Sequence, residues 1–108
     1  MNYLRLKKKK ELTKILKSGK RVYSETLTIV YLPSQEVKMA VCVGKKYGKS
    51  VQRNRIKRIL REAFRLRVDK LSVPCSFLLI PKVADEYSFA AFHRDIGKIL
   101  RKERLVET

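Results

Sequence analysis

Between Lys45 and Arg65 the chain reads Lys-Lys-Tyr-Gly-Lys-Ser-Val-Gln-Arg-Asn-Arg-Ile-Lys-Arg-Ile-Leu-Arg-Glu-Ala-Phe-Arg. The chemistry these residues favour is the holding of phosphate. Arginine forks approach phosphates bidentately and stack on bases, whereas lysine supplies a looser point charge. Asn54 adds a donor and an acceptor for a base edge, a sugar or a backbone oxygen. At 100° per residue, Ile56, Ile59, Leu60, Ala63, Phe64 and Arg67 share one broad helical face. Asn54, Lys57, Arg58, Arg61 and Arg65 lie mainly opposite, with Arg53 and Arg55 towards the flanks. The apolar stripe can seat the helix on a sheet while the other side meets a polyanion. Glu62 stands at helical spacing from basic neighbours that it can organise.

Residues suited to bond cleavage are sparse. His93 is the sole histidine and falls on the side of a late helical pattern expected to be exposed. Asp69, Asp85, Glu86 and Asp95 are scattered, without the density or spacing of a protein metal centre. Cys42 and Cys75 sit in apolar strand-like runs and read as buried, reduced thiols. Gly44 to Gly48 lacks the full phosphate-loop pattern. No catalytic residue and no protein-held metal is therefore expected.

Charge limits the partner. Lys and Arg number 27 against 10 Asp and Glu, a formal net charge of +17. Nine basic residues lie between Arg5 and Arg21 and eleven between Gly44 and Lys70, so the charge is concentrated. Self-repulsion of that size destabilises an isolated compact chain, and a polyanionic partner offsets it. No apolar run approaches the ~20 residues needed to cross a bilayer, and the basic start is not followed by a hydrophobic signal segment. A cytoplasmic nucleic-acid binder without a membrane partner is expected. Charge alone does not separate DNA from RNA. A helix-turn-helix is disfavoured, because a strand-like run and a basic loop precede the charged helix.

The elements that must position these groups follow from periodicity. A helix is expected over about Lys8 to Lys17, with Leu12, Ile15 and Leu16 on one face and Gly19 as its stop. Thr26 to Leu32 alternates as a strand, with Leu27, Ile29 and Tyr31 opposite Thr28, Val30 and Leu32. Pro33 to Glu36 turns the chain, and Lys38 to Gly44 forms a second strand whose Met39–Val43 run suits cover on both faces. Lys45 to Ser50 is a basic loop, and the charged helix occupies Val51 to Val68 with Ser50 a candidate cap. Cys75 to Ile80 is a further strand closed by Pro81. A last helix follows Ser88, with Phe89, Phe92, Ile96, Ile99 and Leu100 inward and Gly97 a local weakness. From Lys102 the tail is expected to fray. The 44% apolar content supports one core, and residues 1–108 read as a single α+β domain in the order helix, two or three strands, helix, strand, helix.

Taken whole, Lys45 to Arg65 resembles the signature of the bacterial ribonuclease P protein family. The resemblance is carried by Arg53-Asn54-Arg55 followed by Lys57-Arg58, Arg61-Glu62 and Phe64-Arg65, and it extends from roughly Leu4 to Arg101. It implies a compact α/β sandwich with a mixed central sheet and a left-handed βαβ crossover, against the usual handedness of such connections. It further implies that Lys45, Lys46, Lys49, Arg53, Asn54, Arg55, Lys57, Arg58, Arg61 and Arg65 meet a catalytic RNA subunit. The 5′ leader of precursor tRNA would lie between the first helix and the sheet, at Leu12, Ile15, Leu16, Thr28, Val30 and Lys82. Aromatic residues commonly help form that surface in relatives; this chain carries Leu12, Leu16 and Val30 there, which weakens base stacking at those positions. Mg²⁺ would be held chiefly by the RNA, with no cofactor tightly bound by the protein and no obligate protein partner. The holoenzyme, not the chain alone, would be the endoribonuclease.

Other readings stand beside this one. A ribosomal or other structural RNA-binding protein suits the charge and size but not the extended signature, and a self-contained metal nuclease lacks an acidic centre. Tyr31 and Tyr47 can each stack on a base or pack within the fold, and Leu12, Ile15 and Leu16 can contact the leader or fill the core.

Overall fold

A computed structural model describes residues 3–106. In chain order they form β1 (Leu4–Arg5), α1 (Lys9–Ser18), β2 (Lys20–Tyr23), β3 (Leu27–Pro33), β4 (Lys38–Val41), a 3-10 turn (Lys45–Tyr47), α2 (Ser50–Val68), β5 (Cys75–Pro81) and α3 (Phe89–Lys102). The five strands make one mixed sheet in the order β1-β4-β5-β3-β2. β1 pairs parallel with β4, and β4 with β5, while β3 runs antiparallel to both β5 and β2. α2 is therefore the crossover between the parallel neighbours β4 and β5.

Alternation along β3 divides the core in two. Leu27 and Ile29 face α2 and α3 in a large cluster with Phe64, Phe77, Phe92, Ile96 and Leu100. Val30 points the other way, into a smaller cluster with Leu6, Ile15 and Leu78 under α1. The expected cover of the Met39–Val43 run on both faces is found: Met39 and Val43 join the large cluster, while Ala40 and Cys42 pack against the small one. The sheet is thus a wall with α1 on one side and α2 and α3 on the other.

Where α2 crosses α3, the Gly97 position is occupied on its outer side. A Cβ there would lie 2.5 Å from Cζ of Arg67, whose Nε donates to the His93 carbonyl at 3.1 Å. Gly97, a weakness by helix propensity, is the place where a guanidinium lies flat on a neighbouring helix. His93 is half-buried, not exposed as its pattern suggested: its ring stacks on Phe89 and its Nδ1 lies 3.3 Å from Nη2 of Arg67. Burial, then the Arg67 charge, lowers its pKa.

The tail differs from expectation as far as Val106. α3 ends in a Schellman arrangement, with Arg104 at φ 58, its N–H donating to the Arg101 carbonyl and that of Leu105 to Leu100. Leu105 is buried, and Val106 bridges Leu71. A short apolar pair after a charged run carries no periodicity, so its anchoring is invisible until α3 is in place. β1 and β2 are the strands left out of the sequence-based reading. Each is short and lies at a sheet edge, and in β2 only Val22 is buried.

Candidate nucleic-acid interface

α2 is built as its pattern requires. Ile56, Leu60, Ala63, Phe64 and Val68 are buried, and the helix lies against α3 and the sheet. Asn54, Arg55, Arg58 and Arg65 are exposed, while Arg53, Lys57 and Arg61 are half-buried on the flanks. Nearly all the charged side chains therefore share one outward surface. No acidic residue lies in the first turn, so the positive end of the helix dipole adds to the field of Lys45, Lys46 and Lys49.

The start of α2 is fixed by packing. Tyr47 is buried, and its hydroxyl donates to the Pro81 carbonyl at 2.5 Å, tying the basic turn to the end of β5. Burial raises the Tyr47 pKa, keeping that donor protonated. Its open alternatives, stacking or packing, thus resolve towards packing. Lys45 and Lys46 remain exposed on the same turn. Gly48 then takes φ 117, and a Cβ there would meet the Gln52 carboxamide oxygen at 2.0 Å. That oxygen accepts from the Lys49 backbone N–H at 3.2 Å. Lys49, not Ser50, is the cap residue; Ser50 is the first helical residue and accepts at 3.2 Å from Nη2 of Arg53. The Arg53 Nε is buried without a hydrogen-bond partner among the described residues.

Along the helix, Arg65 is paired with Glu62, whose carboxyl is held below the usual range by that hydrogen bond. Arg67, on the inward face as its helical position predicts, belongs to the α2–α3 contact. Arg55 faces Asp85 and Glu86 across a cavity of about 450 Å³ that also has Tyr47, Gln52 and Tyr87 in its walls. Arg61 lines a second cavity, about 270 Å³, with Arg5, Lys7, Leu12 and Ala40. This groove wraps the β1 edge and joins the α2 side of the sheet to the α1 side, bringing together Arg61 and Leu12 from two separately expected surfaces.

On the α1 side the expected residues divide by exposure. Ile15 and Val30 are enclosed, at 3% and 0% exposure, and Thr28 is also buried. Leu12 is half-buried, whereas Leu16 and Lys82 are exposed. Ile15 of α1 closes on Val30 and Leu78 of the sheet, with Leu12 packed against them and Leu16 left outside, whereas Lys82 follows the end of β5, beside Thr26 and Tyr87. Tyr31 turns to the opposite face, where its hydroxyl donates to Glu103 at 2.7 Å and its ring lies near Phe77.

Sequence reasoning missed Arg5 and Lys7 as the cationic rim beside Arg61, because β1 is too short to announce itself. It also missed the closing role of Gln52, for which the Gly48–Gln52 spacing was the available signal. Among the described residues no group of three or more His, Cys, Asp or Glu side chains could hold a metal ion, and no helix is long and apolar enough to cross a membrane. Cys42 and Cys75 are free and lie in different clusters; burial raises both thiol pKa values.

A mixed-sheet α/β sandwich with one cationic helix facing outward carries the electrostatic footprint typical of nucleic-acid-binding proteins. The ribonuclease P family profile matches residues 1–104, and the chain belongs to that family. It is 34% identical to the ribonuclease P protein component of Clostridium kluyveri, over 97% of this chain and 98% of that one. The counterpart from Caldanaerobacter subterraneus is 36% identical over 95% and 91%. With the Thermus thermophilus component identity is 36%, but the match spans only 55% of that longer protein. In fold, the chain resembles the Staphylococcus aureus RNase P protein at a TM-score of 0.83 and 21% identity, covering 98% of this chain and 100% of that one. The Thermotoga maritima protein gives 0.80 at 22% identity, covering 96% and 98%.

Proposed function

We propose that residues 1–108 act as one RNA-binding domain, the protein subunit of a cytoplasmic ribonuclease P ribonucleoprotein that removes the 5′ leader from precursor tRNA. The observation that carries this reading is the α2 surface, with Asn54, Arg55, Arg58 and Arg65 exposed and Arg53, Lys57 and Arg61 on its flanks, in a chain of this family. In this role α2 and the Lys45–Lys49 turn hold the catalytic RNA by neutralising phosphates, and the α1 side receives the leader. Leu12, Leu16 and Lys82 would meet the single strand, while Ile15, Thr28 and Val30 keep the floor beneath it in place. Mg²⁺, held chiefly by the RNA and substrate phosphates, would activate water and stabilise developing charge. The chain's own contribution is screening, placement and an extended substrate surface.

Reconstitution tests this. The chain is combined with a bacterial ribonuclease P RNA and precursor tRNA, beside protein-only and RNA-only controls. The complex is expected to process the precursor better than RNA alone at moderate salt, and the protein alone not to cleave. Failure to bind the RNA or to alter processing across salt and Mg²⁺ conditions rejects the assignment.

A further inference from the structure

On the α1 side of the sheet, β2 forms the outer edge. Val22 points into the large core, so Arg21 and Tyr23 project to the opposite face, the one α1 covers. Their registers agree: Arg21 lies across from Val30 and Tyr23 across from Thr28, which in turn lies across from Ile80 of β5. Tyr23 is 66% exposed, and no hydrogen bond or ring contact engages its side chain among the described residues. The apolar side chains that pack on this face (Leu12, Ile15, Val30, Leu78 and Ile80 among them) are aliphatic. Tyr23 is the one aromatic ring on this face among the described residues.

A single exposed aromatic is common on protein surfaces and means little alone. Three features set this one apart. It stands on a short edge strand whose neighbour on the same face, Arg21, is an exposed cation. It lies on the face of the sheet that α1 covers, and on that helix Leu16 is 41% exposed. Its ring has few rotatable bonds, so fixing it against a flat partner loses little entropy. A flat ring beside a phosphate-seeking guanidinium is the arrangement that receives one nucleotide of a single strand, with the base on the ring and its phosphate on the arginine.

We propose that Tyr23 is a stacking platform for one base of the single-stranded 5′ leader, with Arg21 holding the adjoining phosphate. The inference rests on the leader reading given above and adds to it the residue and the kind of contact. Stacking tolerates sequence, so selectivity is modest, and purines, with the larger ring, bind better than uridine at that nucleotide.

The experiment uses the reconstituted holoenzyme and precursor tRNAs differing only in leader length, one nucleotide against about eight, with affinity as the readout. Wild type binds the long leader more tightly. Tyr23→Ala loses roughly tenfold for the long leader, an alanine-substitution effect typical of base stacking, and nothing for the short one. Tyr23→Phe keeps the wild-type preference and Tyr23→Leu does not, which separates a flat ring from mere apolar bulk. Binding of the catalytic RNA and the urea midpoint of the free chain stay unchanged, since the side chain is exposed and unpartnered. If wild type prefers the long leader and Tyr23→Ala keeps that preference, the Tyr23 proposal is overturned while the leader reading survives. A wild-type protein indifferent to leader length overturns both.

Discussion

The carboxylate of Asp95 is almost wholly buried, yet it is held in its charged form. The Thr26 backbone N–H and hydroxyl donate to Oδ2 at 3.0 and 2.7 Å, and Nε of Arg94 donates to Oδ1 at 2.9 Å. Burial pushes its pKa up, but the hydrogen bonds from Arg94 and Thr26 outweigh it, and the net shift is downward. Sequence placed this residue among scattered acids; in the fold it fastens the β2–β3 turn to α3. Because the folded pKa is depressed, its stabilisation is fully present above the ordinary aspartate value of 3.8. It is lost as pH falls through the lower, folded value. Asp95→Asn should therefore cost about 1–3 kcal/mol near neutral pH, the range for unsatisfied buried donors. The gap between variant and wild type should close in strong acid. Urea titrations at the two pH values read this directly; a gap that persists in acid assigns the effect to packing. Glu103 follows the same sign, lowered by hydrogen bonds from Lys20 and Tyr31, whereas Tyr31 is pushed up to about 12 by burial and by Glu103. That phenol stabilises the fold below its ordinary range and ceases to do so as pH rises through about 12.

At the scale of elements, the α2–α3 crossing makes a double prediction. Gly97→Ala gains helix propensity of about 1 kcal/mol but drives the new methyl into the Arg67 guanidinium, displacing its bond to His93. The variant should be destabilised or neutral in the wild-type background and stabilised by about 1 kcal/mol once Arg67→Ala has cleared the space. Thermal melts of the four proteins in the cycle decide it, and equal effects in both backgrounds would refute the contact. This crossing also marks how far the sequence could be read. The α2, α3 and β3 segments were legible because each repeats its apolar residues at a helical or strand period over several positions, and β5 because it is a short apolar run closed by Pro81. The cationic face followed from the same periodicity, so its outward direction was predictable. β1, β2 and the Leu105–Val106 anchor were not, since two to four residues cannot show a period and their partners are distant in sequence. The same limit left open whether Ile15 packs or meets the leader, and it hid the burial of Val30. Alternation gives the face a strand residue takes, but only the docking of α1 says whether that face is covered. Arg67 was placed on the apolar side by angle, yet nothing local revealed that its charged end would rest on Gly97.

For the whole molecule the dominant quantity is the net charge of +17, and it acts on stability and on binding with opposite salt dependence. In the free chain like charges on α1, α2 and the connecting turn repel one another with few acids between them. Added salt screens that repulsion and should raise the urea midpoint. RNA binding draws on the same charges by releasing condensed counterions, so affinity falls as salt rises. Replacing Arg53, Arg58 and Arg61 together by alanine tests both arms with one variant. Each arginine that neutralises a phosphate contributes roughly 0.7–0.9 to the log–log salt slope, so the triple variant should bind catalytic RNA more weakly with a slope shallower by about 2–3. Its midpoint in low salt should hold or rise, because three repelling charges are gone and the buried stripe of Ile56, Leu60 and Phe64 is untouched. A variant that loses affinity without changing its slope has lost shape, not phosphate contacts. One that retains both places the dominant RNA surface elsewhere, with the Arg5–Lys7 rim beside Arg61 the first alternative.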